Sequence, residues 1–391
     1  MNVRIVGVVV AMVALEAIAA TSVLPCTAFT ASCGGLTLVG NNEDYNDPST
    51  RIWFVPSSGK TYGRMYVGYE NGAPQGGMNE AGLFFDGFAV EHRPATKGNA
   101  KPRLEGSLAD KAMAECRTVE EVVRLYERYD HSDLESGVLM FADSRGDAVA
   151  IEADAIVRKT GPWFVQTNFR QSTTPKAAIS CPRFQAATRG LEHMGKCATV
   201  EAVRDILAAT SVEGEYPTLY SNVYDLERRV VHFYYFRDFA HPKTIDLTEE
   251  LKRGAHTIEM ATLFPGNEEA RAFAEGRERS RATERSQVPR LSLDATLLAG
   301  YAGQYRFDNG LSIIVRQDGT RLIAETNEPF VSELWPESPT TFLFADAACQ
   351  GSPACRSVRL TFVVEATGKA ERLDVVAGTG DRLRGQRQPS P

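Results

Sequence analysis

The 391-residue sequence lacks several features that would announce a function. It has no Cys-x-x-Cys, and none of its six histidines (His92, His131, His193, His232, His241 and His256) stands four residues from another. Those absences argue against a helical zinc site and a short-spaced thiolate site, so no metal and no other cofactor is expected. Basic residues are in the minority. With 43 Lys and Arg against 50 Asp and Glu, the net charge is −7. A nucleic-acid partner, which needs a basic footprint, is not expected. No apolar run reaches the ~20 residues of a membrane-spanning helix. The composition, 43% apolar and 24% charged, is that of a folded globular chain rather than a disordered one.

What is present begins at the N-terminus. Arg4, the apolar run "IVGVVVAMVAL" and the "AIA" of Ala17–Ala19 read as a secretion signal with its small-residue cleavage site. An uncleaved anchor is the alternative, and Pro25 argues against a lipoprotein signal. Export to a periplasmic or extracellular space implies oxidising conditions. The seven cysteines (Cys26, Cys33, Cys116, Cys181, Cys197, Cys349 and Cys355) are odd in number, so one thiol is left over. Cys349 and Cys355 bracket the turn-rich "QGSPA" and are the expected disulfide. If the other four pair, the free thiol is Cys26.

Along the chain, "TAFTAS" and "GLTLVGNNEDY" read as paired strands across a glycine turn. "RIWFVPS", "RMYVGYE", "GLFFDGFAV", "GVLMFAD", "DAVAIEAD" and "WFVQTN" read as further strands. "LYSNVYDLERRVVHFYYF" reads as a hairpin turning near Glu227. Thr118 and Glu121 stand in capping-box register before one helix, and Thr199 opens a second with apolar Val200, Val203, Ile206 and Leu207. Strands, then helices, then strands predict an α+β protein with sheets inside and helices outside. Residues 267–289 are dense in charge, a solvated helix or a linker. From 290 to 391 the pattern is all strand, with Asn309-Gly310 and Asp318-Gly319 as hairpin turns. The expected organisation is a signal and short pro-segment (1–25), a mixed domain (26–266), the charged segment (267–289) and a small all-β domain (290–391).

The chemistry centres on Cys26. Amide hydrolysis needs a nucleophile, a base and donors for an oxyanion. No histidine sits in a motif that advertises pairing with a cysteine. Were the bond before Cys26 cut, its new α-amine, of ordinary pKa ~7.7–8.0, could serve as the base beside its own thiol. Asp44, 18 residues on and on the paired strand, is the carboxylate to orient that amine. The alternative is that "NNEDYND" is only a loop.

Taken in order, "CTAF", "GNNEDY", "GGMNEAGLFFDGF", "VQTNF" and "SCPRF" resemble the motifs of the choloylglycine hydrolase and penicillin V acylase family of N-terminal-nucleophile hydrolases. The resemblance covers 26 to about 240. It implies a four-layer αββα sandwich, with Cys26 as nucleophile and amine base and Asp44 as its orienting group. It further implies that Asn168 donates its amide to the oxyanion and that Arg183 stands near the amine or holds Asp44. Asn79 is chiefly a turn residue. Two departures stand out. Asn41 occupies the position of the family's arginine, removing a cation that would favour the thiolate. Ala89 stands where the bile-salt hydrolases have a second oxyanion asparagine, so a backbone N–H would have to replace it. The C-terminal part resembles, through "LAGYAGQY", "DGTRLIAE" and "ELWPESPTTFLF", the lipocalin-like barrel appended to some secreted serine hydrolases. It is expected to pack against the first domain or bind a ligand.

Tyr45, Phe84, Phe85 and Trp163 are candidates for an apolar acyl pocket, or else core residues. The expected partner is a small N-acyl amide. Penicillin V, conjugated bile salts, N-acyl homoserine lactones and N-acyl amino acids all fit the resemblance. An acyltransferase, a non-catalytic acyl-amide binder and an envelope scaffold are the alternatives. The resemblance allows a homo-oligomer, but no assembly loop is visible in the sequence.

Overall fold

A computed structural model describes residues 26–33, 35–69, 74–96, 101–104, 106–194, 198–287, 291–307, 311–326, 331–344, 358–365, 367–376 and 382–389. The expected signal and pro-segment, the Asn309-Gly310 turn and the Cys349–Cys355 pair lie outside them. The chain divides into two compact units, one of residues 23–70 and 74–277, the other including 278–391.

The first unit begins with strands β1 (Thr27–Cys33), β2 (Leu36–Asp44), β3 (Thr50–Val55), β4 (Arg64–Tyr69), β5 (Pro74–Asn79) and β6 (Leu83–Ala89). Helices α1 (Leu108–Glu115) and α2 (Val119–Arg128) follow. Then come β7 (Gly137–Asp143), β8 (Ala148–Glu152), β9 (Ala155–Arg158), β10 (Trp163–Gln166), α3 (Pro182–His193) and α4 (Val200–Thr210). The unit ends with β11 (Thr218–Asp225), β12 (Val230–Tyr235), β13 (Lys243–Asp246), α5 (Leu247–Leu251), β14 (His256–Glu259) and α6 (Met260–Leu263). Residues 267–289, read as helix or linker, contain the helix α7 (Glu268–Gln287).

Among the described residues the strands form two sheets, ordered β10-β1-β2-β11-β12-β13 and β14-β3-β4-β5-β6-β7-β8-β9. Successive strand residues face opposite sides, so each sheet can bury both faces. Ala28, Val39, Tyr220 and Phe233 of the first sheet meet Ile52, Met65, Phe84 and Met140 of the second in a core between the sheets. Their neighbours point outward. Phe29, Leu38 and Val223 pack on Leu191, Val203 and Ile206 of α3 and α4. Phe85, Phe141 and Ile151 pack on Met113, Val122 and Tyr126 of α1 and α2. The order is helix, sheet, sheet, helix, the four-layer αββα arrangement expected.

Local chemistry fixes these layers. Thr118 and Glu121 make the reciprocal capping box of α2. Asn79 turns β5 into β6. Its Oδ1 accepts from the backbone of Ala81 and Leu83, and its Nδ2 donates to the Met113 and Cys116 carbonyls at the end of α1. Gly82 in that turn has φ +82, and a Cβ there would stand 2.4 Å from the Leu226 carbonyl oxygen. β5 is not among the strands the sequence predicts, because "PQGGMN" carries little apolar alternation.

The second unit opens with α8 (Ala295–Tyr301) and continues through β15 (Gly303–Phe307), β16 (Ser312–Asp318), β17 (Arg321–Thr326), β18 (Val331–Pro336), β19 (Thr341–Phe344), β20 (Arg359–Val364), β21 (Ala370–Val376) and β22 (Arg382–Arg387). These described strands close into a barrel, β22 pairing with β15. The Asp318-Gly319 hairpin joins β16 to β17, with Gly319 at φ +60. Side chains fill the interior, including Tyr305, Ile313, Leu322, Phe342 and Phe362. Tyr301 of α8 joins them, its ring 4.5 Å from that of Phe362 and its hydroxyl donating to Pro339 O at 2.9 Å. Eight strands enclose about the volume that side chains can fill.

Candidate active site

Cys26 stands one residue before β1, and the β1–β2 register of Thr27 against Asn42 carries it opposite Glu43. It is 4% exposed and belongs to the core between the sheets. Each of its polar atoms has a partner. Its backbone N–H donates to Asn168 Oδ1 at 2.8 Å. Its Sγ–H donates to Glu43 Oε1 at 3.4 Å. Its carbonyl oxygen accepts from Arg183 Nη1.

Two elements deliver these partners. Asn168 follows β10 in a loop held by Gln166, whose Nε2 donates to Thr167 O and Phe169 O at 2.6 and 2.8 Å. Arg183 is the second residue of α3, after Pro182 at the helix start, where proline's fixed φ suits the first turn. The Phe169 and Phe184 rings, 5.3 Å apart and edge to face, join the loop to that helix. Arg183 donates further to Thr27 Oγ1 at 2.9 Å and Asn168 Oδ1 at 3.2 Å.

Several contacts differ from expectation. Asn168 offers its oxygen, not its amide, to Cys26, and its Nδ2 donates to Ala89 O at 2.9 Å. Both donors on Oδ1 are N–H groups, which fixes this orientation. Ala89 thus enters through its carbonyl oxygen, as an acceptor. Arg183 bonds Cys26, Thr27 and Asn168 rather than Asp44, though its charge draws the Asp44 pKa down. Asp44 bonds through Oδ1 to the Thr218 hydroxyl, and its Oδ2 is without a hydrogen-bond partner. Asn41 points between the sheets and donates to Asp86 Oδ2 at 2.7 Å. Asn222 Nδ2 donates to Asn41 Oδ1 at 3.3 Å.

Of the candidate pocket aromatics, Phe84 lies in the core with Cys26, and Tyr45 packs on that core with its ring 4.5 Å from Tyr69. Phe85 and Trp163 do not reach that side. Phe85 faces α1 and α2, and Trp163 packs in the core under α3 and α4. The strand's two-residue period turns each away from the thiol.

Glu43 and Asp86 were not singled out from the sequence. Glu43 shares the alternation of Val39 and Asn41, which point between the sheets, whereas Asn42 reaches the Leu207 carbonyl and Thr210 of the helical layer. With the β1–β2 register, that alternation was the available signal. Burial raises the carboxyls of Glu43 and Asp44 each to about 8. Burial also raises Asp86 well above the usual range, with the nearby Glu43 charge adding to it. The Cys26 thiol is pushed up by burial and then by the charges of Glu43 and Asp44, while a hydrogen bond from the Asp44 backbone works the other way.

Beside Asn168 and Arg183 opens a cavity of about 290 Å³, walled also by Thr167, Phe169, Ile179 and the half-buried Cys181. Among the described residues no group of His, Cys, Asp and Glu is arranged to hold a metal, and no helix is long and apolar enough to cross a membrane.

The chain is similar in structure to a penicillin V acylase from Agrobacterium tumefaciens, at 20% identity and TM-score 0.48, over 60% of this chain and 91% of that one. It is similar also to a conjugated bile acid hydrolase from Clostridium perfringens, at 17% identity and TM-score 0.47, over 60% and 97%. A third is a Caenorhabditis elegans N-acylethanolamine-hydrolyzing acid amidase ortholog, at 15% identity and TM-score 0.39, over 56% and 99%. The first two are of the kinds named by the sequence resemblance. No protein-family model and no curated protein matches the sequence.

Proposed function

We propose that this chain is an exported amidohydrolase that cleaves the linear C–N bond of an N-acyl amide through a thioester on Cys26. The observation that carries the reading is that nitrogen, sulfur and carbonyl oxygen of one residue each have a dedicated partner, in Asn168, Glu43 and Arg183. A cysteine serving only as core filler has no need of such an arrangement.

In this reading a leader of residues 1–25 is removed and Cys26 becomes the first residue. Its amine keeps the Asn168 Oδ1 contact and gains further N–H bonds, and Asp44, whose Oδ2 has no hydrogen-bond partner, is the group assigned to accept one. The amine takes the thiol proton as Sγ attacks the substrate carbonyl, then returns it to the leaving amine. Arg183 fixes the Cys26 carbonyl and Asn168 while this happens. Asn168 Nδ2 serves the oxyanion only after leaving Ala89 O. The neighbouring cavity suits a compact, moderately apolar acyl group.

The test is the intact mass of the active, secreted protein, together with Cys26→Ala. A mature chain beginning at Cys26, and loss of turnover in the variant, are expected. An active chain still carrying residues before 26, or a variant with wild-type turnover, refutes the reading. Product analysis with added amine acceptors separates hydrolysis from acyl transfer to an amine.

A further inference from the structure

The N-terminal-nucleophile reading leaves one proton without an acceptor. Before the leader is released, the nitrogen of Cys26 is an amide. Its lone pair is not basic, and its hydrogen is committed to Asn168 Oδ1 at 2.8 Å. The base that serves the mature chain does not yet exist when the first bond must break. Nor is a thiolate waiting. Burial and the charges of Glu43 and Asp44 raise the Cys26 thiol, so the proton has to leave as sulfur attacks.

One group is in reach. Glu43 Oε1 lies 3.4 Å from Sγ, both residues are buried, and Glu43 Oε2 has no hydrogen-bond partner. We propose that Glu43 is the catalytic base of self-cleavage before Cys26, a task separate from turnover of the external amide; the inference rests on the N-terminal-nucleophile reading. In the step, the Glu43 carboxylate takes the Sγ proton as sulfur bonds to the carbonyl carbon of residue 25. The tetrahedral adduct collapses, the C–N bond breaks, and the nitrogen takes up the proton that left the thiol. The products are a free amine on Cys26 and a thioester on its sulfur. Water then adds to the thioester carbonyl, the C–S bond breaks, sulfur regains a proton, and the leader departs as a carboxylic acid.

The surroundings suit the task. Asp86 on β6, Tyr69 on β4, and Tyr220 and Tyr224 on β11 lie near enough to couple electrostatically with Glu43, as do the thiol and the neighbouring Asp44 of β2. Burial among them lifts Glu43 to about 8, near the pH at which a general base is most effective.

The experiment follows cleavage of the full-length chain by intact mass after a pH jump. Glu43→Gln is expected to slow release of the leader by ~10²-fold, the lower end for loss of a general base. Glu43→Asp is expected to recover part of that loss. The wild-type rate is expected to climb with pH to a plateau near 8, a limb that Glu43→Gln lacks. Three results overturn the proposal: wild-type cleavage rates in Glu43→Gln, a flat wild-type profile from pH 6 to 9, or a folded Glu43→Asp no faster than Glu43→Gln. Failure of the underlying reading looks different. There Cys26→Ala is cleaved at the wild-type rate, or the cut falls elsewhere than before Cys26.

Discussion

Burying three carboxyls beside one thiol makes protonation part of this protein's stability. Glu43 and Asp44 titrate near 8 in the folded chain and near 4 when unfolded. Between those values the folded chain holds protons that the unfolded chain has released. The stability these two groups contribute is therefore fully present below pH 4 and is lost as pH rises through 8. Urea titrations of the full chain are expected to give lower unfolding free energy at pH 8 than at pH 5. Glu43→Gln is expected to flatten that slope and to be the more stable chain at pH 8. A slope unchanged by the substitution would mean that Glu43 is ionised throughout. Cys26 and Asp44 could be picked out as candidates because a motif and a place after an expected leader single them out. Glu43 could not, because in "NNED" an acid reads as turn chemistry unless strand register is known. The same register moved Phe85 away from the thiol although it is Phe84's neighbour in sequence.

At the level of elements, the site depends on how closely α3 and α4 lie. A Cβ on Gly190 of α3 would stand 2.6 Å from Ile206 of α4, and one on Gly40 of β2 would stand 2.6 Å from the Phe29 ring. Those glycines set the depth at which the helical layer rests on β2. Gly190→Val is expected to cost about 1–3 kcal/mol by overpacking, measured by urea unfolding, and to lower turnover by displacing Arg183, which α3 carries. Unchanged stability would mean that Ile206 swings aside freely. Most strands and the helices opened by Thr118 and Thr199 could be read from alternation and caps. β5 could not, since glycine-rich pairing leaves no hydrophobic signature, and β9 could not, since "AIVR" is short and no turn signal was recognised before it.

The molecule holds two sets of cores that share no residue, one in the layered unit and one inside the barrel. Calorimetry of the full chain is expected to resolve two unfolding transitions. Phe362→Ala is expected to lower one alone, by about 3–5 kcal/mol in the barrel. A single transition shifted as a whole would show that the units unfold together. That the C-terminal unit is built of strands was evident from its hairpin turns, although α8 departs from the all-strand expectation for 290–391. That its interior is closed by Tyr301 from a preceding helix was not, because "LAGY" gives no hint of where its ring goes. A last consequence belongs to Asn168, which grips Cys26 with one atom and Ala89 of the opposite sheet with another. The nitrogen of Cys26 is thereby tethered to the spacing of two sheets. A change in that spacing, from pressure, a distant substitution or an occupied cavity, is expected to stretch the bond at position 26.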